Sequence, residues 1–254
     1  MKFCTFFSDS HKKIFDQCFI PSFPFESGLD LIVRKVDQHC QSGNLFDVGW
    51  VNSMTAKQEF LNEMLKRNEG EIMVFSDVDI RFYQPIKSDI EDLLGGYDII
   101  FQKDHFNNPN GRCAGFFATR STQKIRALFA RTLERLRESA EKRKGERVGF
   151  DHSEQNAVNR EIEQTKDLKW GFLPERYYTH GLYEQGVKNP KEPRGFWWHL
   201  KHPSEKDRVY VPLELTVHHA NWCVGTDLKI ELLNFIKAKH DWKKKQNEKG
   251  AQAV

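Results

Sequence analysis

The chain has 254 residues, 39% hydrophobic and 30% charged, a length that suits one large α/β domain or two small ones. A net charge of +3, from 39 basic and 36 acidic residues, is too balanced to argue for nucleic acid. No run approaches the roughly 18 apolar residues of a membrane span, MKFCTFFSDS lacks a signal's apolar core, and five cysteines without C-x-x-C spacing read as reduced thiols, so the expected location is the cytoplasm.

Lys2–Phe7 predicts a first strand, and Ser8-Asp9-Ser10 then offers a cap for a short helix through Phe19. That polar turn is either a nucleotide position of the kind α/β folds use or a plain capped helix. Pro21–Ser27 breaks the chain before a second strand, Leu29–Val33. Thr55–Asn68 is an amphipathic helix with Phe60, Met64 and Leu65 on one face. The apolar run Ile72-Met73-Val74-Phe75 is a buried strand ending in Ser76-Asp77-Val78-Asp79. A brief helix, Ser88–Leu94, and a strand, Tyr97–Gln102, lead to a turn at Asn107–Gly111. Cys113–Thr119 is a strand whose bare Gly115 lets a ligand approach backbone. Ser121–Lys144 is a long helix with Ile125, Leu128, Phe129, Leu133 and Leu136 on one side and a solvated basic face on the other.

Asp151 caps a further helix through Glu163, with Glu154 at its third residue. Leu168–Leu173 is a strand, Tyr177–Pro203 reads as loop, and Tyr210–Val217 is a last strand. Asp227–His240 is the final helix, and the charged residues from Lys243 predict a disordered tail. Strands alternating with helices, without repeat or linker, predict an α/β fold. Its single domain spans 1–242, followed by the tail at 243–254.

In an extended chain residues two apart share a face, so Asp77 and Asp79 point the same way. Such a pair is either a solvated strand-end turn or half of a divalent-cation site. His218 and His219 follow a strand and are either structural or a source of an imidazole ligand. Gly225 and Lys229, just beyond, could meet a diphosphate through backbone N–H and charge.

Four stretches then resemble one family in its own order. Ile72–Asp79 looks like the D-x-D strand of nucleotide-diphospho-sugar transferases with the GT-A fold, most of all the group of plant wall xylosyl- and arabinosyltransferases and their algal and viral relatives. Ala114-Gly115-Phe116-Phe117-Ala118-Thr119-Arg120-Ser121 is similar to the family's N-x-G-F-F-x-x-R-S/T segment. Glu154-Gln155-Asn156-Ala157-Val158-Asn159 resembles its D-Q-x-x-x-N helix, and His219–Gly225 with Lys229 its C-terminal H-x-N-x-x-x-G-x-x-x-K block. Together they cover roughly residues 1–240. The resemblance implies a GT-A-like, mixed and mostly parallel central sheet flanked by helices.

It also implies a metal-dependent transfer of a sugar from a nucleotide diphosphate, UDP by analogy, to a hydroxyl of a glycan or other acceptor. Asp79 and His219 would bind Mn²⁺ or Mg²⁺, and Asp77 would bind metal or donor ribose. Lys229 and the Gly225 backbone would hold the diphosphate. Thr5, Phe6, Phe7 and Ser8 would cradle base and ribose, and Lys57 would be a basic donor contact or a solvated lysine. Val78, Ala114 and Gly115 would lie along the donor. Either Glu154 or Asp151 would be the carboxylate beside the sugar, with Gln155 on its hydroxyls, or both acids answer only the helix dipole. The family's asparagine before G-F-F is Cys113 or Ala114 here. Trp50, Trp197, Trp198 and Trp222 could stack on acceptor sugars or pack the core. A nucleotidyltransferase would want a glycine-rich loop after the first strand, which Phe7-Ser8-Asp9-Ser10 lacks; a non-catalytic nucleotide-sugar or carbohydrate-binding module would use the same cleft.

Overall fold

Residues 1–104, 111–179, 211–221 and 223–252 are described by the computed structural model, and among them a six-stranded and a three-stranded sheet organise the chain. β1 (Lys2–Phe7), β2 (Asp30–Lys35) and β3 (Ile72–Ser76) lie in one sheet with β5 (Ile99–Lys103), β6 (Arg112–Arg120) and β7 (Trp170–Phe172). Its order is β2-β1-β3-β6-β5-β7. β1 is parallel to β2 and β3, and β5 to β7, while β6 runs antiparallel to β3 and β5. The small sheet joins β4 (Ile80–Phe82), β9 (Val217–His219) and β8 (Tyr177–Thr179) in that order. The mixed, mostly parallel sheet is the one expected.

Alternation along each strand divides the apolar side chains between two cores. Phe3, Val74, Ile100 and Phe116 face one, where Ile90 and Leu94 of α2 (Lys87–Leu94) pack. Met73, Phe75, Phe101 and Phe117 face the other. That second core is covered by α1 (Trp50–Arg67) through Phe60, Leu61 and Leu65, and by α3 (Gln123–Lys142) through Ile125, Leu128 and Phe129. α4 (Glu154–Gln164) adds Val158 and Ile162, and α5 (Thr226–Gln252) buries Leu232, Leu233 and Ile236 against Tyr178. All five cysteines are free and buried, as expected.

Several boundaries differ from the sequence reading, each for a physical reason. The first helix is a composite of a 3-10 turn, an α turn, a π segment at Phe15–Phe19 and a last turn Ile20–Ser22. Pro21 falls in the first positions of that last turn, where a missing N–H costs little. α1 begins at Trp50 rather than Thr55, because Trp50 and Val51 are buried and extend its apolar face. Ser153, not Asp151, caps α4: its Oγ accepts from Asn156 N at 3.0 Å, while Asp151 lies in the preceding turn Phe150–His152. Tyr177–Thr179 is a strand inside the stretch read as loop, because its backbone finds β9. The last strand is Val217–His219 rather than Tyr210–Val217, and α5 continues as helix to Gln252 through the charged residues from Lys243. Trp197, Trp198, Trp222, His180 and the turn at 107–110 lie outside the described residues.

One irregularity positions the site. Phe101 opposes Phe117 across β5 and β6, yet Gln102 opposes Cys113. Ala114, Gly115 and Phe116 therefore have no partner on β5, and this bulge brings the bare Gly115 to the end of β3.

Candidate active site

β3 ends at Ser76, and Asp77-Val78-Asp79 carries the chain across to β4. Backbone bonds lock this crossing: Asp77 N donates to Gly115 O at 2.8 Å, and Ala220 N donates to Asp79 O at 2.9 Å. The second bond puts β9 beside the aspartates. Asp77, Asp79 and His219 each offer a ligand atom, all within 4.8 Å of one another. Two carboxylates and an imidazole suit a divalent cation. His218 is buried on the other face of the strand beside Tyr178.

Asp79 is 5% exposed and meets two cationic partners. Lys229 Nζ lies 2.7 Å from Oδ2 and His219 Nε2 3.3 Å from Oδ1. Burial opposes the charged carboxylate, but Lys229 and His219 overcome it and hold its pKa well below the usual range. Burial likewise opposes a charged imidazole, and Asp79 more than offsets it, raising His219 to about 10. The anion thus sits in a socket built for positive charge. Gly115 makes room for it: a Cβ there would stand 2.4 Å from His219 Cε1 and 2.6 Å from Asp77 Oδ2. That overlap explains the glycine through contact alone.

Asp77 belongs to a second cluster. Lys57 Nζ on α1 is 2.7 Å from Asp77 Oδ1 and 2.8 Å from Glu154 Oε2, and Ala114 O accepts from it at 3.1 Å. Burial would lower the Lys57 pKa, but the two carboxylates raise it. Glu154 shifts upward, mainly through burial, with Lys57 opposing, and Gln58 Nε2 donates to its Oε1. Next to it Gln155 is held at both ends of its amide: Nε2 donates to Asp104 Oδ2 at 2.9 Å, and Oε1 accepts from Ala114 N at 3.4 Å. Asp104 also accepts from Asn221 Nδ2 at 2.7 Å, tying this corner to the turn after His219.

One cleft is bordered by the predicted Phe6, Phe7, Ser8, Val78, Ala114 and Gly115. Asp77, Asp79, His219, Lys229, Glu154 and Gln155 also line it. Trp50 stands in its wall with Phe46 at 5.0 Å edge-on. Four expected residues stand elsewhere. Thr5 is buried behind the wall, its hydroxyl donating to Ser76 O at 2.8 Å. Lys57 is buried beneath the cleft rather than lining it. Asp151 is exposed and outside the lining, and Gly225 is a left-handed turn residue (φ 95°) one step before α5, also outside it. Sequence reasoning missed Gln58, Gln102, Asp104 and His11. The first three act through contacts that depend on helix packing and on the β5–β6 bulge, and no spacing signals them. His11, in the polar turn after β1, has its pKa lowered by burial and by Lys229.

Residues 29–233 match the family described as nucleotide-diphospho-sugar transferase. The fold is similar to that of a glycosyltransferase involved in glycosylating the major capsid of PBCV-1, at 8% identity over 92% of this chain and 98% of that one, TM-score 0.58. It is similar also to the glycosyltransferase GlyE of Streptococcus pneumoniae TIGR4, at 12% identity over 96% of this chain and 63% of that one, TM-score 0.53. A third likeness is to the bifunctional glycosyltransferase WbbM, at 14% identity over 92% of this chain and 49% of that one, TM-score 0.52. The chain therefore spans nearly all of the first, under two thirds of the second and about half of the third. No curated protein matches. The fold is GT-A-like, and no described helix is long and apolar enough to cross a membrane.

Proposed function

Because this chain belongs to the nucleotide-diphospho-sugar transferase family, we propose that it moves a sugar from a nucleotide diphosphate to a hydroxyl of a glycan or other acceptor, with Mn²⁺ or Mg²⁺. The observation that carries this reading is the convergence of Asp77, Asp79 and His219 in a cleft that Lys229 also lines. A divalent cation held there would act as a Lewis acid on the leaving diphosphate. Lys229, already beside Asp79, is placed to neutralise the same diphosphate. Phe6, Phe7 and Ser8 at the end of β1 would receive base and ribose, UDP being the donor nucleotide favoured by the family resemblance. Gln155, its amide orientation already set by Asp104 and Ala114, would bind the donor sugar's hydroxyls. Glu154, beside Lys57 and with its pKa raised by burial, would be the carboxylate beside the sugar. Trp50 offers an aromatic wall to an acceptor.

Nucleotide release from UDP- and GDP-sugars, measured with Mn²⁺ and with EDTA over a set of sugar acceptors, tests this. One donor should be consumed only with metal, and Asp79→Asn should abolish it. Metal-dependent binding of a nucleotide-sugar without turnover on any acceptor would instead favour a binding module.

A further inference from the structure

We propose that Gln102 is the positioning residue that turns His219 into a metal ligand. The inference rests on the reading of Asp77, Asp79 and His219 as the metal site. Gln102 is fully buried at the end of β5, and it reaches the site because the register slips between Phe101 and Gln102. The slip sets it opposite Cys113, and the His219 ring lies between these side chains and Asp79.

Three contacts fix that ring. His219 Nδ1 is 3.0 Å from Gln102 Oε1, Nε2 is 3.3 Å from Asp79 Oδ1, and Cε1 fills the space a Cβ on residue 115 would take. Cys113 Sγ, at 3.7 Å from Nδ1, is a weaker second acceptor. An amide oxygen can only accept, so Gln102 keeps the proton on Nδ1. Nε2 is then the nitrogen left to offer its lone pair on the side where both aspartates point. A divalent cation there would take the Nε2 lone pair, that nitrogen's proton going to solvent, while the proton on Nδ1 would stay with Gln102. A partner that fixes a ligating imidazole in this way is worth roughly 10–100-fold in metal affinity.

Gln102 is a poor choice for packing alone. Its Nε2 is buried and has no hydrogen-bond partner among the described residues. An unpaired buried donor destabilises the fold, and an apolar side chain of similar size would not carry that cost. A structural role therefore predicts that stability and metal binding fall together on substitution. The positioning role predicts that they separate.

The test is Gln102→Leu and Gln102→Glu against wild type, with Mn²⁺ affinity followed by electron paramagnetic resonance and unfolding by urea without metal. Gln102→Leu removes one unpaired N–H but orphans the Nδ1 proton of His219, so its urea midpoint should stay near that of wild type, while it binds Mn²⁺ about 10–100-fold more weakly. Gln102→Glu, which keeps an acceptor oxygen, should bind at least as tightly as wild type. In the Mg²⁺-loaded wild type, ¹⁵N spectra of the His219 ring should show a proton on Nδ1 and none on Nε2. Wild-type affinity in Gln102→Leu overturns the inference while leaving the metal site standing, and a proton found on Nε2 in the loaded protein overturns both the inference and His219 as a ligand. Should Gln102→Leu not fold, the Gln102→Glu affinity and the wild-type spectra decide alone. Should wild type bind no metal, the metal-site reading fails, and this inference with it.

Discussion

Asp77 and Asp79 lie two residues apart in one motif, yet they answer to different charges. Asp77 is pinned by Lys57, which also holds Glu154, in a cluster roofed by the cleft and closed beneath by α1. Asp79 faces Lys229 and His219, both brought in by the C-terminal part of the chain. The first cluster has its cation built into the core. On the proposed function the second is the exchangeable side, which a metal and a diphosphate would join. The contrast separates two settings within one D-x-D pair: Asp77 leans on a lysine buried beneath the cleft, and Asp79 on cationic groups that reach it from β9 and α5.

Breaking the exchangeable side should have the largest effect on function. Asp79→Ala should cut turnover by about a thousandfold or more, since several kcal/mol of charge stabilisation depends on the bound metal. Far-ultraviolet circular dichroism should remain that of wild type. Gly115→Ala comes next. Its Cβ would collide with His219 and Asp77, so metal affinity should fall by about 10–100-fold. Recovery of affinity in a variant that keeps the added methyl would argue against the close approach as the cause.

Breaking the pinned side should show in stability instead. Lys57→Met leaves two buried or half-buried carboxylates without their cation and should cost about 3–5 kcal/mol in urea unfolding. Adding Glu154→Gln should restore part of that loss. If Lys57 were instead a direct donor contact, Lys57→Met would raise the KM for donor at unchanged stability, so the pair of measurements sharpens the comparison.

The smallest effect belongs to a cluster remote from both. Glu161 on α4 is 1% exposed and accepts from Arg131 Nε at 2.6 Å and from Arg135. Burial would raise its pKa, but the two guanidiniums lower it overall. A depressed folded pKa contributes stability that is complete above the unfolded value near 4.5 and disappears as pH falls through the folded one. Both guanidiniums are some two-fifths exposed, so screening limits the gain to about 1–2 kcal/mol. The stability gap between wild type and Glu161→Gln should therefore be present at pH 7 and shrink on acidification below about 4.5. A gap independent of pH would show that the ion pairs do not supply it.

What could be read in the sequence, and what could not, follows from how each contact is made. The shared face of the two aspartates was legible because strand periodicity acts on neighbours in the chain, while His219 and Lys229, far along it, were joined to them by the family resemblance. The core under α1 and α3 was legible through the apolar periodicity of those two helices. Gln102 and Gln58 were not, because a β-bulge and a helix crossing decide what they touch. Lys57 read as either a donor contact or a solvated lysine, and its burial between two carboxylates comes from packing. β8 was hidden because three residues acquire strand geometry only by pairing with β9, and the length of α5 was hidden by its charged composition.

The account stands most directly on one titration: UDP and then GDP into the protein by calorimetry, with and without Mn²⁺, repeated on Asp79→Ala. The prediction is that one nucleotide binds only with metal and that Asp79→Ala abolishes this binding while remaining folded. Equal binding with and without Mn²⁺, or metal-dependent binding that survives Asp79→Ala, would contradict the assignment of Asp79 to the exchangeable side.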